Sequence, residues 1–553
     1  MLNGPRNHET GSSIAQPHYD AIIVGAGFSG LYQLHQLRDQ LGLHAVVLEA
    51  GDDVGGTWYW NRYPGARCDS ESHYYSYSFS KSLQQEWRWS ERYPEHSEIR
   101  RYLTHVADRF ALRPDIRLGT RVTAARWDDA GTLWHIDTDK LGSLTARFFI
   151  TAVGCLSAAN IPQLPGLCQF AGRWYHTGRW PHEGVDFTGK RVGLIGTGST
   201  GIQAAPEIAI QAAHLTVFQR TANYSIPSRN RPLSDEDWQE IQATYDNIRD
   251  KARASTNGHP FDVFETSALD VPAAEREARY ERAWEVGGLR FRATFNDLLK
   301  NKQANDTASD FIRRKIAGIV KDEATAAMLI PTDHPFASKR PPIDTNYFET
   351  FNRENVTLVD LKATRIDQVM PTGILTSAKL HELDIIVFAT GFDALTGPLL
   401  ALDISGAGGR RLRDDWAAGP RSYLGLQVPG YPNMFTVTGP GSPSVLTNMP
   451  VAIEQHTQWI TACIAHMRSH GFSRIETSEV EAEKWVAHVN EAANATLLPM
   501  ANSSWYLGAN VPGKPRVFMP YAGGMAHYAR LCDEIALDDY RGFTLSHAAV
   551  QTV

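Results

Sequence analysis

The chain has 553 residues, of which 42% are apolar and 21% charged, and a formal net charge of −7. That length exceeds one compact core and predicts two or three domains, while the charge argues against nucleic acid or an anionic membrane as a partner. Its five cysteines, Cys68, Cys155, Cys168, Cys463 and Cys532, are odd in number, widely spaced and without a C-x-x-C pair. This pattern speaks against a disulfide framework, a zinc cluster and a redox-active cysteine pair.

The opening segment, MLNGPRNHETGSSIAQPHYD, lacks the apolar stretch of a signal peptide. Residues 1–17 read as a disordered tail and the protein as cytoplasmic. No apolar run is long enough to span a bilayer. The tail leads into YDAIIVGAGFSGLYQLHQLRDQLGLHAVVLEA, an apolar strand, the glycines Gly25, Gly27 and Gly30, a helix pattern and a second strand. This is the setting in which G-x-G-x-x-G predicts a dinucleotide site: glycines let the backbone approach a pyrophosphate at a helix N-terminus. The second strand ends in Glu49, nineteen residues after Gly30. A carboxylate there accepts a ribose diol and repels a 2′-phosphate. VGGTWYWNRYPGARCDSES follows, with Thr57, Trp58, Arg67, Asp69 and, shortly after, Tyr75.

FAGRWYHTGRWP, Phe170 to Pro181, crowds aromatic residues ahead of a second turn, KRVGLIGTGSTGIQAAPEIAIQAAHLTVFQRT. Here the glycines are Gly196, Gly198 and Gly201, interleaved with Thr197, Ser199 and Thr200 and followed by Gln203. Nineteen residues after Gly201 stands Arg220, then Thr221. A cation at that strand end suits a 2′-phosphate, so the first turn predicts FAD and the second NADPH. After Pro232 a helical stretch begins, with Ser234 and Asp237 as a capping box. FIRRKIAGIVKDEATAAMLI continues it, placing Ile312, Ile316, Ile319 and Val320 on one face and Arg313, Arg314 and Lys315 on a solvated one. PFASKRPPID carries Lys339 and Arg340, and ELDIIVFATGFD reads as a strand returning to the first sheet. GPGSPSVLTNM supplies Ser444, Val445, Leu446 and Met449, and SSWYLGAN supplies Trp505.

FAGRWYHTGRWP matches the F-x-G-x-x-x-H-x-x-x-W-P fingerprint of type I Baeyer–Villiger monooxygenases at Phe170, Gly172, His176, Trp180 and Pro181. With the segments above, the chain resembles that family from about residue 20 to about 545, and within it the phenylacetone and steroid monooxygenase branch. The resemblance implies an enzyme with FAD and NADPH as cofactors. NADPH reduces the flavin, O2 adds at flavin C4a, and the peroxide inserts one oxygen beside a ketone carbonyl, giving an ester or lactone, with sulfoxidation as a side activity. It implies Arg340 and Asp69 as the catalytic pair, the first supplying fixed positive charge and the second anchoring it. Lys339 then contacts the 2′-phosphate, Arg67 the nicotinamide nucleotide, and Thr57, Trp58, Tyr75, Val122 and Met449 the flavin. Trp505 closes over NADP, and Ser444, Val445 and Leu446 shape the substrate pocket. The fingerprint residues couple domain movement. Pro341 and Pro342 depart from the family pattern and restrict the backbone directly after Arg340.

The expected fold is α/β, with two Rossmann-like dinucleotide-binding domains and a helical insertion. The FAD-binding domain is expected at 18–165 and 385–553, the NADP-binding domain at 166–230 and 331–384, and the insertion at 231–330. The expected partners are a small-molecule ketone and O2, with no nucleic acid, no metal and no membrane span. A nitrogen- or sulfur-oxygenating flavin monooxygenase is the alternative; its fingerprint lacks the Trp180-Pro181 ending.

Overall fold

The computed structural model describes residues 17–547; the predicted tail lies outside this range apart from Pro17. The first apolar strand, β1 (Tyr19–Val24), pairs in parallel with β2 (Ala45–Leu48), Ile23 opposite Val47. It also pairs with β6 (Gly142–Thr151), Ile23 opposite Ile150. β3 (Ile116–Arg117) extends the sheet beyond β2, and β4 (Val122–Asp128) and β5 (Leu133–Thr138) join β6 antiparallel. Two late strands complete these eight: Asp403–Ser405 beside β4 and Met434–Thr436 beside β6. All of β2 is buried, as expected where helices cover both faces of a parallel sheet.

The second sheet has five parallel strands. At its centre β8 (Arg191–Ile195) lies between β9 (His214–Gln219) and Ile385–Phe388. The outer strands are Val356–Asp360 and β7 (Arg173–His176). Two expectations change here. Ile385–Phe388 was expected to return to the first sheet, with a boundary at 385. It lies instead between β8 and β7, Val387 opposite Leu194 and Tyr175, so the chain leaves the second sheet only after Phe388. A short apolar run marks a buried strand without saying which sheet receives it. The fingerprint, expected as a linker, contributes β7 as the edge of this sheet.

The insertion is helical, as expected. Its first helix, Asp235–Ala254, opens on the capping box: Ser234 Oγ accepts from Asp237 N–H at 3.1 Å and Asp237 Oδ2 from Ser234 N–H at 2.8 Å. The insertion does not pack as one unit. Trp238, Ile241 and Tyr245 join the core of the first sheet, whereas Tyr280, Trp284, Phe311, Ile312 and Ile316 join that of the second. Arg249 fastens the first helix by donating to the carbonyls of Tyr74 (3.2 Å) and Ser76 (3.1 Å). Arg313, Arg314 and Lys315 are not simply solvated: Arg314 pairs with Glu277 at 2.7 Å, Lys315 with Glu281 at 2.6 Å, and Arg313 donates to Tyr224 Oη at 2.9 Å. Among the described residues no helix is long and apolar enough to cross a membrane.

Candidate active site

The two glycine turns share one backbone. Gly25 and Gly196 take φ of 104° and 111°, where a side chain is strained, and a Cβ on either would run into the strand behind it. Gly30 and Gly201 lie against the carbonyls of Gly25 and Gly196, so a Cβ there would collide. The middle glycines differ in kind, because their φ of −86° (Gly27) and −82° (Gly198) suits any residue. A Cβ on Gly198 would meet no protein atom within 4 Å, and one on Gly27 would meet the backbone of Gly56, its Cα at 3.3 Å and its N at 3.8 Å. At Gly198 bare backbone is therefore needed for something other than protein, whereas Gly27 is also crowded by Gly56. Both helices begin at these glycines without a side-chain cap, leaving their first N–H groups for an anion. The geometry fits two dinucleotide pyrophosphates.

The strand ends give the turns opposite character. Glu49 is buried, and its carboxylate accepts from Ala26 N–H at 2.7 Å and Gly51 N–H at 2.6 Å. Burial raises its pKa and the two backbone bonds oppose that rise. Arg220 is exposed and makes no ion pair among the described residues. Lys339 comes close to it: burial, then the Arg220 charge, overcome the attraction of Asp333 and pull the Lys339 pKa down to about 8. Two neighbouring cations of this kind suit a phosphate. Thr221 closes the turn by accepting from Thr197 Oγ1 at 2.9 Å.

Arg340 ties the Asp69 loop to the Val445 loop. Its Nη2 donates to Asp69 Oδ1 at 2.8 Å, and its Nε lies 2.7 Å from Asp69 Oδ2. Nη1 donates to the Val445 carbonyl at 3.2 Å. Burial alone would disfavour the charge, but Asp69 outweighs it and raises the Arg340 pKa. The backbone around this anchor is strained: Ala337 (φ 61°) and Ser444 (φ 38°) are non-glycine residues in the left-handed region, a feature that concentrates at functional sites. Pro341 and Pro342 lead into Ile343–Asp344, which pairs with Ile226–Pro227, and the Pro342 carbonyl accepts from Ile226 N–H at 3.0 Å. This short pairing fixes the segment from which Arg340 projects.

Other expected residues gather around the pair. Val445, Leu446, Met449 and Trp505 share one small apolar cluster with Cys155, Leu395 and Tyr506. Trp58 Nε1 donates to Tyr75 Oη at 3.3 Å, close to Cys68 and Asp69 in sequence and space. Thr57 opens the short helix Thr57–Trp60, and Val122 is buried at the start of β4. Two residues are committed elsewhere. Arg67, expected to contact the nicotinamide nucleotide, is held by Glu91 (2.7 Å), Glu95 (3.0 Å) and the Tyr93 carbonyl (2.8 Å). Gln203, expected to bind cofactor, accepts from Tyr63 Oη at 2.8 Å and donates to the Arg67 carbonyl at 3.0 Å. Both line a cavity of about 280 Å³ between the bodies of the two sheets. Their partners are carboxylates, a tyrosine hydroxyl and backbone groups distant in sequence, which no local motif reveals.

The fingerprint joins the two bodies through packing. Phe170 packs with Ile195, Phe218 and Phe388. A Cβ on Gly172 would meet the Phe170 ring at 2.7 Å. Trp180 is buried with Tyr63 and Ala66, which arrive from the loop before Asp69, and Pro181 accepts from Gly184 N–H at 3.3 Å. His176 is buried, and its Nδ1 accepts from Gly178 N–H at 3.0 Å. Burial and Arg179 bring its pKa to about 4, so it is neutral at pH 7. Sequence reasoning missed Tyr63, the latch onto the second helix, and Tyr506, buried against Arg340. Being aromatic in a loop was their only signal.

Comparison with known proteins agrees with this geometry. Residues 20–231 match the family model described as flavin-binding monooxygenase-like. A solved structure of an oxidized steroid monooxygenase bound to NADP is 51% identical, with a TM-score of 0.91, covering 96% of this chain and 99% of that one. A Baeyer–Villiger monooxygenase of Pseudooceanicola batsensis is 43% identical over 94% of this chain and 95% of its own length. A phenazine N-monooxygenase of Lysobacter antibioticus is 42% identical over 96% of this chain and 97% of its own. The chain belongs to the flavin-binding monooxygenase-like family, among its Baeyer–Villiger members.

Proposed function

We propose that this protein is a Baeyer–Villiger monooxygenase, using NADPH and O2 to insert one oxygen atom beside a ketone carbonyl. The single observation that carries this reading is the Arg340–Asp69 pair, whose guanidinium is also held by the Val445 carbonyl. Gly25, Gly27 and Gly30 would hold FAD, and Gly196, Gly198 and Gly201 would hold NADPH; the pair would supply the reducing equivalents and the activated oxygen. Arg340 provides a fixed positive charge where a ketone oxygen gains negative charge, and Asp69 keeps the guanidinium oriented. Arginine suits this task because it does not lose its proton near neutral pH. Glu49 retains lone pairs for a ribose diol, and Arg220 with Lys339 receives the 2′-phosphate. Val445, Leu446, Met449 and Trp505 form an apolar wall that excludes water.

In this reading the flavin unit comprises residues 18–165 with the chain after Phe388. The nicotinamide unit comprises 166–230 with 331 to Phe388, and the protein acts in the cytoplasm. The phenazine N-monooxygenase relative keeps nitrogen oxygenation as a second reading; the Trp180-Pro181 ending favours ketones.

The test is incubation with NADPH, ¹⁸O2, a ketone panel, a thioether and an aromatic amine. Esters or lactones carrying one ¹⁸O atom are expected. N-oxide or sulfoxide without any ester supports the second reading.

A further inference from the structure

Arg292 stands in the turn Leu289–Ala293, between the buried residues Phe291 and Ala293. Its neighbour Arg290 reaches Glu71, two residues past Asp69, at 3.2 Å, and lies over the Phe261 ring at 5.0 Å. The turn is thus docked on the Asp69 loop. The chain following the first insertion helix closes the other side. Asn448 N–H donates to the Asn257 carbonyl at 2.8 Å, and His259 stacks on Phe261 at 5.1 Å. Asn448 is three residues from Val445, whose carbonyl holds Arg340. This docking brings Arg292 and the buried Tyr506 near the Arg340–Asp69 pair.

The charges around this pair do not balance. Asp69 is taken by Arg340, and Glu71 by Arg92 (2.9 Å) and Arg290. Among the described residues no nitrogen of Arg292 has an acceptor or a carboxylate partner, and its Nε is fully buried. The imidazole of His259 also has a buried Nδ1 without a partner. Burial, and less strongly the like charge of Arg340, act against the Arg292 charge. A guanidinium does not escape by deprotonating, and Arg292, half-buried with its Nε fully shielded, keeps its charge without a protein partner, which is costly. Aliphatic or aromatic side chains would serve a purely apolar ketone better at this position.

We infer that Arg292 is a specificity-determining residue that receives a carboxylate carried by the substrate, so that the preferred ketones are keto acids. The carboxylate meets the Arg292 fork while the ketone carbonyl lies toward Arg340, and the distance between the two guanidinium groups selects the length of the spacer. A phosphate of NADPH is the other possible source of negative charge, but Arg220 and Lys339 already stand at the second cradle for it. The inference rests on the ketone-oxygenating reading proposed above.

The test uses the FAD-loaded enzyme and a homologous series of methyl-ketone carboxylic acids, each compared with its methyl ester. One acid should exceed its ester in kcat/KM by roughly tenfold or more, the effect of a charge-assisted contact. Arg292→Met should bring that acid down to its ester, with ester conversion and the KM for NADPH unchanged, and Arg292→Lys should retain part of the preference. Equal use of acids and esters by the unaltered enzyme overturns the inference. So does a rise in the KM for NADPH in Arg292→Met, which would assign the guanidinium to the cofactor. Calorimetric titration of the oxidised enzyme with the same acids reads binding without turnover. Binding that disappears in Arg292→Met supports the carboxylate site even if no ester forms, in which case the ketone-oxygenating reading fails; no preference for acid over ester in binding overturns it.

Discussion

The two glycine turns are nearly the same object in backbone and opposite objects in charge. Each places a first glycine at positive φ behind a bare middle one, and each opens an uncapped helix. One ends its second strand in a buried carboxylate bonded to its own turn, the other in an exposed arginine facing a lysine. The comparison separates two tasks. Backbone shape holds a pyrophosphate and is indifferent to which nucleotide carries it, whereas one side chain at the strand end chooses between a ribose diol and a 2′-phosphate.

The strongest way to break the comparison is to fill each cradle. Gly27→Ala should leave the protein largely without FAD, because the new methyl group points where the pyrophosphate approaches. Gly198→Ala should leave fold and flavin content intact, since its Cβ meets no protein atom, while raising the KM for NADPH at least about tenfold. Flavin absorbance per chain and steady-state kinetics check both, and full flavin occupancy in Gly27→Ala would refute the first placement.

A smaller change sharpens the charge half of the comparison. Arg220→Ala should weaken NADPH by roughly tenfold to a hundredfold and NADH hardly at all; equal losses would remove the 2′-phosphate from Arg220. Lys339 adds a pH signature. With its pKa near 8 in the free enzyme, it is protonated below that pH and neutral above it. The KM for NADPH should therefore be flat below about pH 7 and rise above pH 8, by at most about tenfold per unit. NADH should show no such rise, and Lys339→Met should abolish it.

The sequence made both turns legible because their glycines answer to local backbone demands. The capping box at Ser234 and Asp237 was legible for the same reason, being a contact across three residues. The Arg340–Asp69 pair spans 271 residues and was legible only through the family resemblance. Without that aid, long-range partners stayed hidden. The strand Ile385–Phe388 declares its burial but not its sheet, and β7 reads as a linker because its partner lies far along the chain. Arg67 shows no sign of Glu91 and Glu95, and the insertion does not announce that its first helix joins one core and its later helices the other.

The central claim is that Arg340, held by Asp69 and Val445, serves oxygen insertion rather than either nucleotide. Arg340→Ala tests it most directly, by rapid mixing of the FAD-loaded variant with NADPH in the absence of oxygen, followed by product analysis under ¹⁸O2. Flavin reduction within a few-fold of the unaltered enzyme, with no labelled ester, is the predicted result. Labelled ester at an undiminished rate would contradict the account and remove Arg340 from the chemistry.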